Sequence, residues 1–113
     1  RTLVDQMIKK HGPQTKVMLP RIPLPDTPGI RFLATVGEIC QEGMEMGHCI
    51  ASYADRAVRG ECFLFHVDHE GARASVEILP EGWVRQCRGP RNEQNVASKW
   101  GERVLRRWAR GLR

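Results

Sequence analysis

Long apolar runs are missing from this chain. Of its 113 residues 41% are hydrophobic, and no uncharged apolar stretch approaches the roughly 18 residues of a helical membrane span, so no membrane partner is expected. Aromatics are scarce at 6%, with a single tyrosine, Tyr53. Cys40, Cys49, Cys62 and Cys87 form no Cys-x-x-Cys pair, and their spacing matches no standard zinc pattern. With no signal peptide in sight, the four thiols are expected to be reduced in an intracellular, cytoplasmic protein rather than to staple a secreted fold. Neither a metal nor a cofactor is implied. Arg1 stands where an initiating methionine would, which suggests a piece of a longer chain.

Acidic residues run short towards the C-terminus. From Trp83 to Arg113 nine Lys/Arg face two acids, a net charge of +7, whereas residues 1–82 carry nine bases and eleven acids, a net −2. Such asymmetry points to an anionic partner for the last third, DNA or RNA, with a solvated helix face as the plain alternative.

What is there reads as one α+β domain. Leu3, Val4, Met7 and Ile8 make an apolar stripe over a helix at residues 2–10, ended by Gly12-Pro13. Five of the seven prolines then fall between residues 12 and 30, as expected for an extended arm or linker outside the core. Thr35-x-x-Glu38 has capping-box spacing, so a helix is predicted from there to about Met46, with Val36, Ile39, Cys40 and Met44 inward and Gly47 as its left-handed stop. A further helix is predicted from Cys49 to Gly60 on Ile50, Tyr53, Ala54, Ala57 and Val58. The result is a helix–corner–helix with His48 and Cys49 at the corner.

Alternation predicts strands near 61–67, 72–79 and 83–88, a short antiparallel three-stranded meander turning at Glu70-Gly71 and Glu81-Gly82. A two-residue second turn sets Glu77 opposite Gln86 and Ser75 opposite Arg88, leaving Val76, Ile78 and Cys87 on the other face. After Gly89-Pro90, Asn92 or Asn95 caps a final amphipathic helix packed on the meander. Val96, Trp100, Val104 and Trp108 form its apolar stripe, and Arg103, Arg106, Arg107 and Arg110 its basic side.

Three chemistries suit these residues. A cysteine at a helix start is either a thiol with thiolate character or a small buried residue; burial and slow alkylation are expected for Cys49. A hydrolase or nuclease would use His48, Cys49 and Glu77, with a base from His66 or His69, because neighbouring side chains at a helix start diverge. Glu77, Gln86, Arg88 and Asn92 on one face would suit a phosphate, sugar or base edge, helped by free backbone amides of the Gly89-Pro90 turn. Trp100 and Trp108 are core residues or a stacking platform.

Thr35-x-x-Glu38, Glu42-Gly43, Met46-x-His48-Cys49-Ile50, Ser52-Tyr53, Val58-x-x-Gly60-Glu61-Cys62, Ser75-Val76-Glu77-Ile78 and Gln86-Cys87-Arg88-Gly89-x-x-Asn92 together resemble the PcfJ-like family. The resemblance covers residues 33–95 and marks His48, Cys49, Tyr53, Glu77, Gln86, Arg88, Gly89 and Asn92. It implies a plasmid or phage setting and an accessory role in conjugative DNA transfer, with protein partners of a transfer or phage complex. The expected layout is an N-terminal helix and proline-rich arm over residues 1–30, then a PcfJ-like α+β domain over 31–113 ending in the basic helix. The expected function is nucleic-acid association, with the enzyme and a protein-interaction adaptor as alternatives.

Overall fold

A computed structural model of the chain describes residues 6, 9, 10, 12–16 and 18–113. The helix expected over residues 2–10 lies outside them, apart from Gln6, Lys9 and Lys10, which are helical. The fold is α+β. Strands β1 (Ile30–Phe32), β2 (Phe63–His69), β3 (Ala72–Ile78) and β4 (Val84–Arg88) join helices α1 (Val36–Met46), α2 (Ala54–Val58) and α3 (Val96–Ala109). The sheet is antiparallel in the order β1-β2-β3-β4.

The expected three-stranded meander is therefore one strand short. β1 has three residues, too few for alternation to stand out beside Pro28-Gly29. Its pairing with β2 is nonetheless firm: Asp68 N donates to Gly29 O and Leu33 N to Leu64 O, both at 2.8 Å. The proline-rich stretch leading into it opens with a 3₁₀ turn at Gly12–Lys16, against the extended arm expected, and then runs without regular structure, but it is no free linker. Leu19 and Ile30 are buried, one in each of the two core clusters.

Turn chemistry sets the register. Glu70 and Gly71 both have positive φ, 50° and 78°, as a two-residue hairpin turn matched to strand twist demands. The second turn has three residues, closed by Leu79 N donating to Trp83 O at 2.8 Å. A bulge beside Glu77 and Ile78 absorbs the extra residue, so Ser75 still faces Arg88, Val76 Cys87, and Glu77 Gln86.

Thr35 caps α1 by accepting from Glu38 N at 3.1 Å, and Gly47 ends it at φ 64°. Of the predicted inward stripe, Val36, Ile39 and Cys40 are buried, but Met44 is 53% exposed and Met46 takes its place. The next segment is not one α-helix: residues Cys49–Tyr53 form a 3₁₀ turn before α2.

The sheet separates two apolar layers. On one face Leu64 packs with Leu33, Val36, Ile39, Ile50 and Ala54 from α1 and the corner. On the other, Phe63, Phe65, Val67, Val76, Ile78 and Cys87 pack with Ala97, Leu105 and Ala109 of α3. Burying one such Ile or Leu stabilises by about 1.5–3 kcal/mol. The stripe predicted for α3 is offset by one residue. Ala97, Ser98, Gly101, Leu105 and Ala109 are buried, Val96 is 43% exposed, and Trp100, Val104 and Trp108 flank the contact. Small residues at the centre let the helix lie close to the sheet: a Cβ on Gly101 would sit 3.0 Å from Val67 Cγ2.

Candidate ligand pocket and basic helix face

The face of β3 and β4 turned towards α1 is not fully covered. A pocket of about 420 Å³ opens there. The corner supplies His48, Cys49, Ile50 and Tyr53; the strands supply Leu64, Ser75, Val76, Glu77, Gln86 and Arg88; Asn92 closes one side. Seven residues singled out from sequence thus share one cavity: His48, Cys49, Tyr53, Glu77, Gln86, Arg88 and Asn92. Arg103, Arg106, Arg107 and Arg110 do not. They are exposed across the sheet, three on α3 and Arg110 at its C-terminal cap.

Glu77 is the buried charge of the pocket, 2% exposed. Its Oε2 accepts from Arg56 Nη2 at 2.5 Å, and that guanidinium lies 4.8 Å from the centroid of the Tyr53 ring. Oε1 is held more loosely, with Gln86 Nε2 at 3.5 Å and Arg85 Nε at 3.9 Å. Gln86 Nε2 also donates to the Tyr53 hydroxyl. That hydroxyl accepts, so its own proton stays available. Burial, then the Glu77 charge, push the nearby Cys62 thiol up to about 11.

His48 begins a second polar chain. Its Nδ1 accepts from Ile50 N at 3.4 Å, which places the ring proton on Nε2. Nε2 donates to Ser75 Oγ at 3.0 Å, and Ser75 Oγ donates to Glu42 Oε2 at 2.6 Å. His66 Nδ1 donates to the same carboxylate at 2.7 Å, and its Nε2 to Asp68 Oδ1 at 3.0 Å. The Glu42 hydrogen bond raises the His66 pKa above its ordinary value, with help from the Glu42 charge and Asp68 and against burial. Burial lowers that of His48, against the pull of Glu42. His48 therefore releases its proton more readily than a free imidazole, and His66 holds its proton more tightly.

This arrangement bears on catalysis. With Nε2 protonated, His48 is no base for Ser75, and Nδ1 is held by the backbone. His66 lies under Glu42 with both nitrogens on carboxylates, and His69 stacks on Trp100 at 4.1 Å. The ring nitrogens of His48 and His66 are thus engaged by neighbouring groups. Among the described residues no group of three or more His, Cys, Asp or Glu is placed to hold a metal ion.

Two expectations are corrected here, and two open alternatives are decided. Cys49 is exposed, whereas Cys40, Cys62 and Cys87 are buried; the corner turns its first residue outward because His48, not Cys49, points inward to Ser75. Three amides of the Gly89-Pro90 turn expected to be free for a phosphate are taken. Gly89 N donates to Glu93 O at 2.7 Å, Asn92 N to Gly89 O and Glu93 N to Pro90 O at 3.1 Å. Asn95, not Asn92, caps α3 in a reciprocal box with Ser98. Nor are the α3 tryptophans an open stacking platform, since both pack against the sheet cluster.

Sequence reading missed Arg56, Glu42 and the role of Ser75. Glu42 carried a visible signal: it falls among Val36, Ile39, Cys40, Gly43 and Met46 on the inward side of α1, a charge at a core position. Arg56 carried none, because its partner lies 21 residues on.

Fold and site together define a small α+β domain with helices on both sheet faces, a polar pocket on one side and an arginine-rich helix on the other. The chain belongs to the PcfJ-like protein family, whose model matches residues 6–103. No curated protein and no solved structure matches it.

Proposed function

We infer that this PcfJ-like domain is a nucleic-acid-associated accessory domain of a mobile genetic element, serving plasmid transfer or a phage. It binds DNA or RNA through the outer side of α3. One observation carries the reading. Arg103, Arg106, Arg107 and Arg110 are all exposed at helical spacing, and among the described residues only Arg106 of these four has an acidic partner, Glu102 at 2.5 Å. Unpaired guanidiniums on one face suit a phosphate backbone and carry little sequence preference.

The mobile-element setting comes from the family resemblance, the binding from charge and exposure. The adaptor reading loses ground because the arm and the α3 stripe are used in packing. The test is fluorescence anisotropy on single- and double-stranded oligonucleotides over a salt series. Affinity falls steeply with salt, with a log–log slope of roughly −0.9 per phosphate contact on duplex and −0.7 on a single strand. Replacing Arg103, Arg107 and Arg110 with alanine weakens binding on every sequence and flattens the slope by about two to three contacts' worth. Absence of binding at about 50 mM salt sinks the reading.

A further inference from the structure

We propose that the pocket opposite α3 binds one nucleotide, its base inside against Glu77 and Tyr53 and its phosphate at the mouth on Arg88. The inference rests on the nucleic-acid reading only for its choice of ligand class; the geometry is independent of α3.

Ligand sites are concave, largely apolar, and carry a few convergent polar groups, typically in about 300–1,000 Å³; this pocket has about 420 Å³. Its inner end offers an acceptor and a donor side by side. Glu77 is 2% exposed, and its Oε1 meets Gln86 Nε2 at 3.5 Å and Arg85 Nε at 3.9 Å, both long. A buried carboxylate oxygen so weakly satisfied favours a further N–H or O–H donor. The Tyr53 hydroxyl accepts from the same Gln86 nitrogen, which leaves its proton for a ligand acceptor. A heterocyclic base edge presents that pair, a ring or exocyclic N–H next to a lone pair. Ile50 and Leu64 supply apolar wall for a flat ring.

The outer end has the opposite character. Arg88 is exposed and lines the pocket, and among the described residues it has no carboxylate partner. Its planar fork suits a phosphate bidentately. Donor–acceptor edge, flat apolar body and terminal anion occur in that order in a nucleotide. A free nucleoside monophosphate and the terminal nucleotide of a strand share this chemistry.

The test uses the whole chain, labelled with ¹⁵N and titrated with AMP, GMP, CMP, UMP, the matching nucleosides and inorganic phosphate. At least one monophosphate shifts amides of the corner, β3 and β4 saturably below about 1 mM. Its nucleoside binds about ten-fold or more weakly, and Arg88→Ala removes that difference. Tyr53→Phe keeps the ring and weakens nucleotide and nucleoside alike by about three- to ten-fold. Bound nucleotide also slows maleimide labelling of the exposed Cys49. No saturable shift up to about 10 mM overturns the proposal. So does phosphate binding as tightly as the nucleotides, or an unchanged preference in R88A. Competition by a 5′-phosphorylated oligonucleotide assigns the site to a strand end; its absence assigns it to the free nucleotide, and either supports a nucleotide site. Polynucleotide binding lost with mononucleotide binding retained removes the α3 reading alone; the reverse removes this one alone.

Discussion

Cys49 and His66 show how differently placed reactive side chains behave. Cys49 is the exposed thiol of the four. Burial raises the pKa of Cys40 and pushes Cys87 up to about 12, so their thiolates are rare at neutral pH. Iodoacetamide under native conditions therefore modifies Cys49 first, and peptide mass spectrometry locates it; equal labelling of all four contradicts the exposure pattern. His66 is a pH-dependent contact. Its folded pKa is raised, so the folded state holds the proton more tightly and the contribution is full below about pH 6.5. It is lost as pH rises through the folded value. His48 is lowered and acts in the opposite direction, its contribution fading as pH falls below about 6.5. Single variants separate the two. The thermal-stability advantage of wild type over His66→Gln shrinks from about pH 6 to pH 9, whereas the advantage over His48→Gln shrinks as pH is lowered. A His66→Gln gap independent of pH removes the charged role.

Among the elements, α3 carries the clearest conflict between pattern and packing. Its tryptophans draw the eye to Val96, Trp100, Val104 and Trp108, yet the side that meets the sheet is one residue over. Two large indoles on the contact line would hold the helix off; Ala97, Gly101 and Ala109 allow it close. Gly101→Leu therefore destabilises by about 2–3 kcal/mol by overpacking against Val67, despite the better helix propensity of leucine. Chemical denaturation measures it, and an unchanged midpoint means that α3 is not seated as described. The β3–β4 hairpin teaches the reverse lesson. The predicted two-residue turn is a three-residue loop, and the bulge cancels the error, so Glu77 still meets Gln86. Register survives because a one-residue slip would turn Glu77 and Ser75 into the α3 core.

At the scale of the molecule, the sheet is a partition. Alternation along β2 sends Phe63, Phe65 and Val67 to α3 and Leu64 and His66 to α1. The arginine face and the pocket are consequently separate surfaces, joined by no described ion pair. The arm belongs to the body. Leu19 is 7% exposed and its N–H donates to Ala34 O at 2.8 Å. Leu19→Ala costs about 2–3 kcal/mol, in the range for truncating a buried leucine, whereas Met18→Ala, at a side chain 59% exposed, changes stability by less than about 0.5 kcal/mol. Matching midpoints for the two variants would make the arm a tether.

The sequence by itself determined what neighbouring residues settle. Thr35 and Gly47 bound α1, Asn95 was one of two named caps for α3, and Glu70-Gly71 turns the β2–β3 hairpin, because caps and turns depend on dihedral preferences and hydrogen bonds within a few positions. The PcfJ-like motifs were legible for the same reason, as short local words in a fixed order. Only the tertiary structure decided what burial and distant pairing settle. It exposed Cys49, drew the three residues Ile30–Phe32 into the sheet, and chose which side of α3 is covered. It also set Arg56 on Glu77 and linked His48 through Ser75 to Glu42, pairs 21 to 33 residues apart. No local preference encodes such contacts; they exist because the sheet brings separate segments to one face and because buried charge is stable only where a partner reaches it.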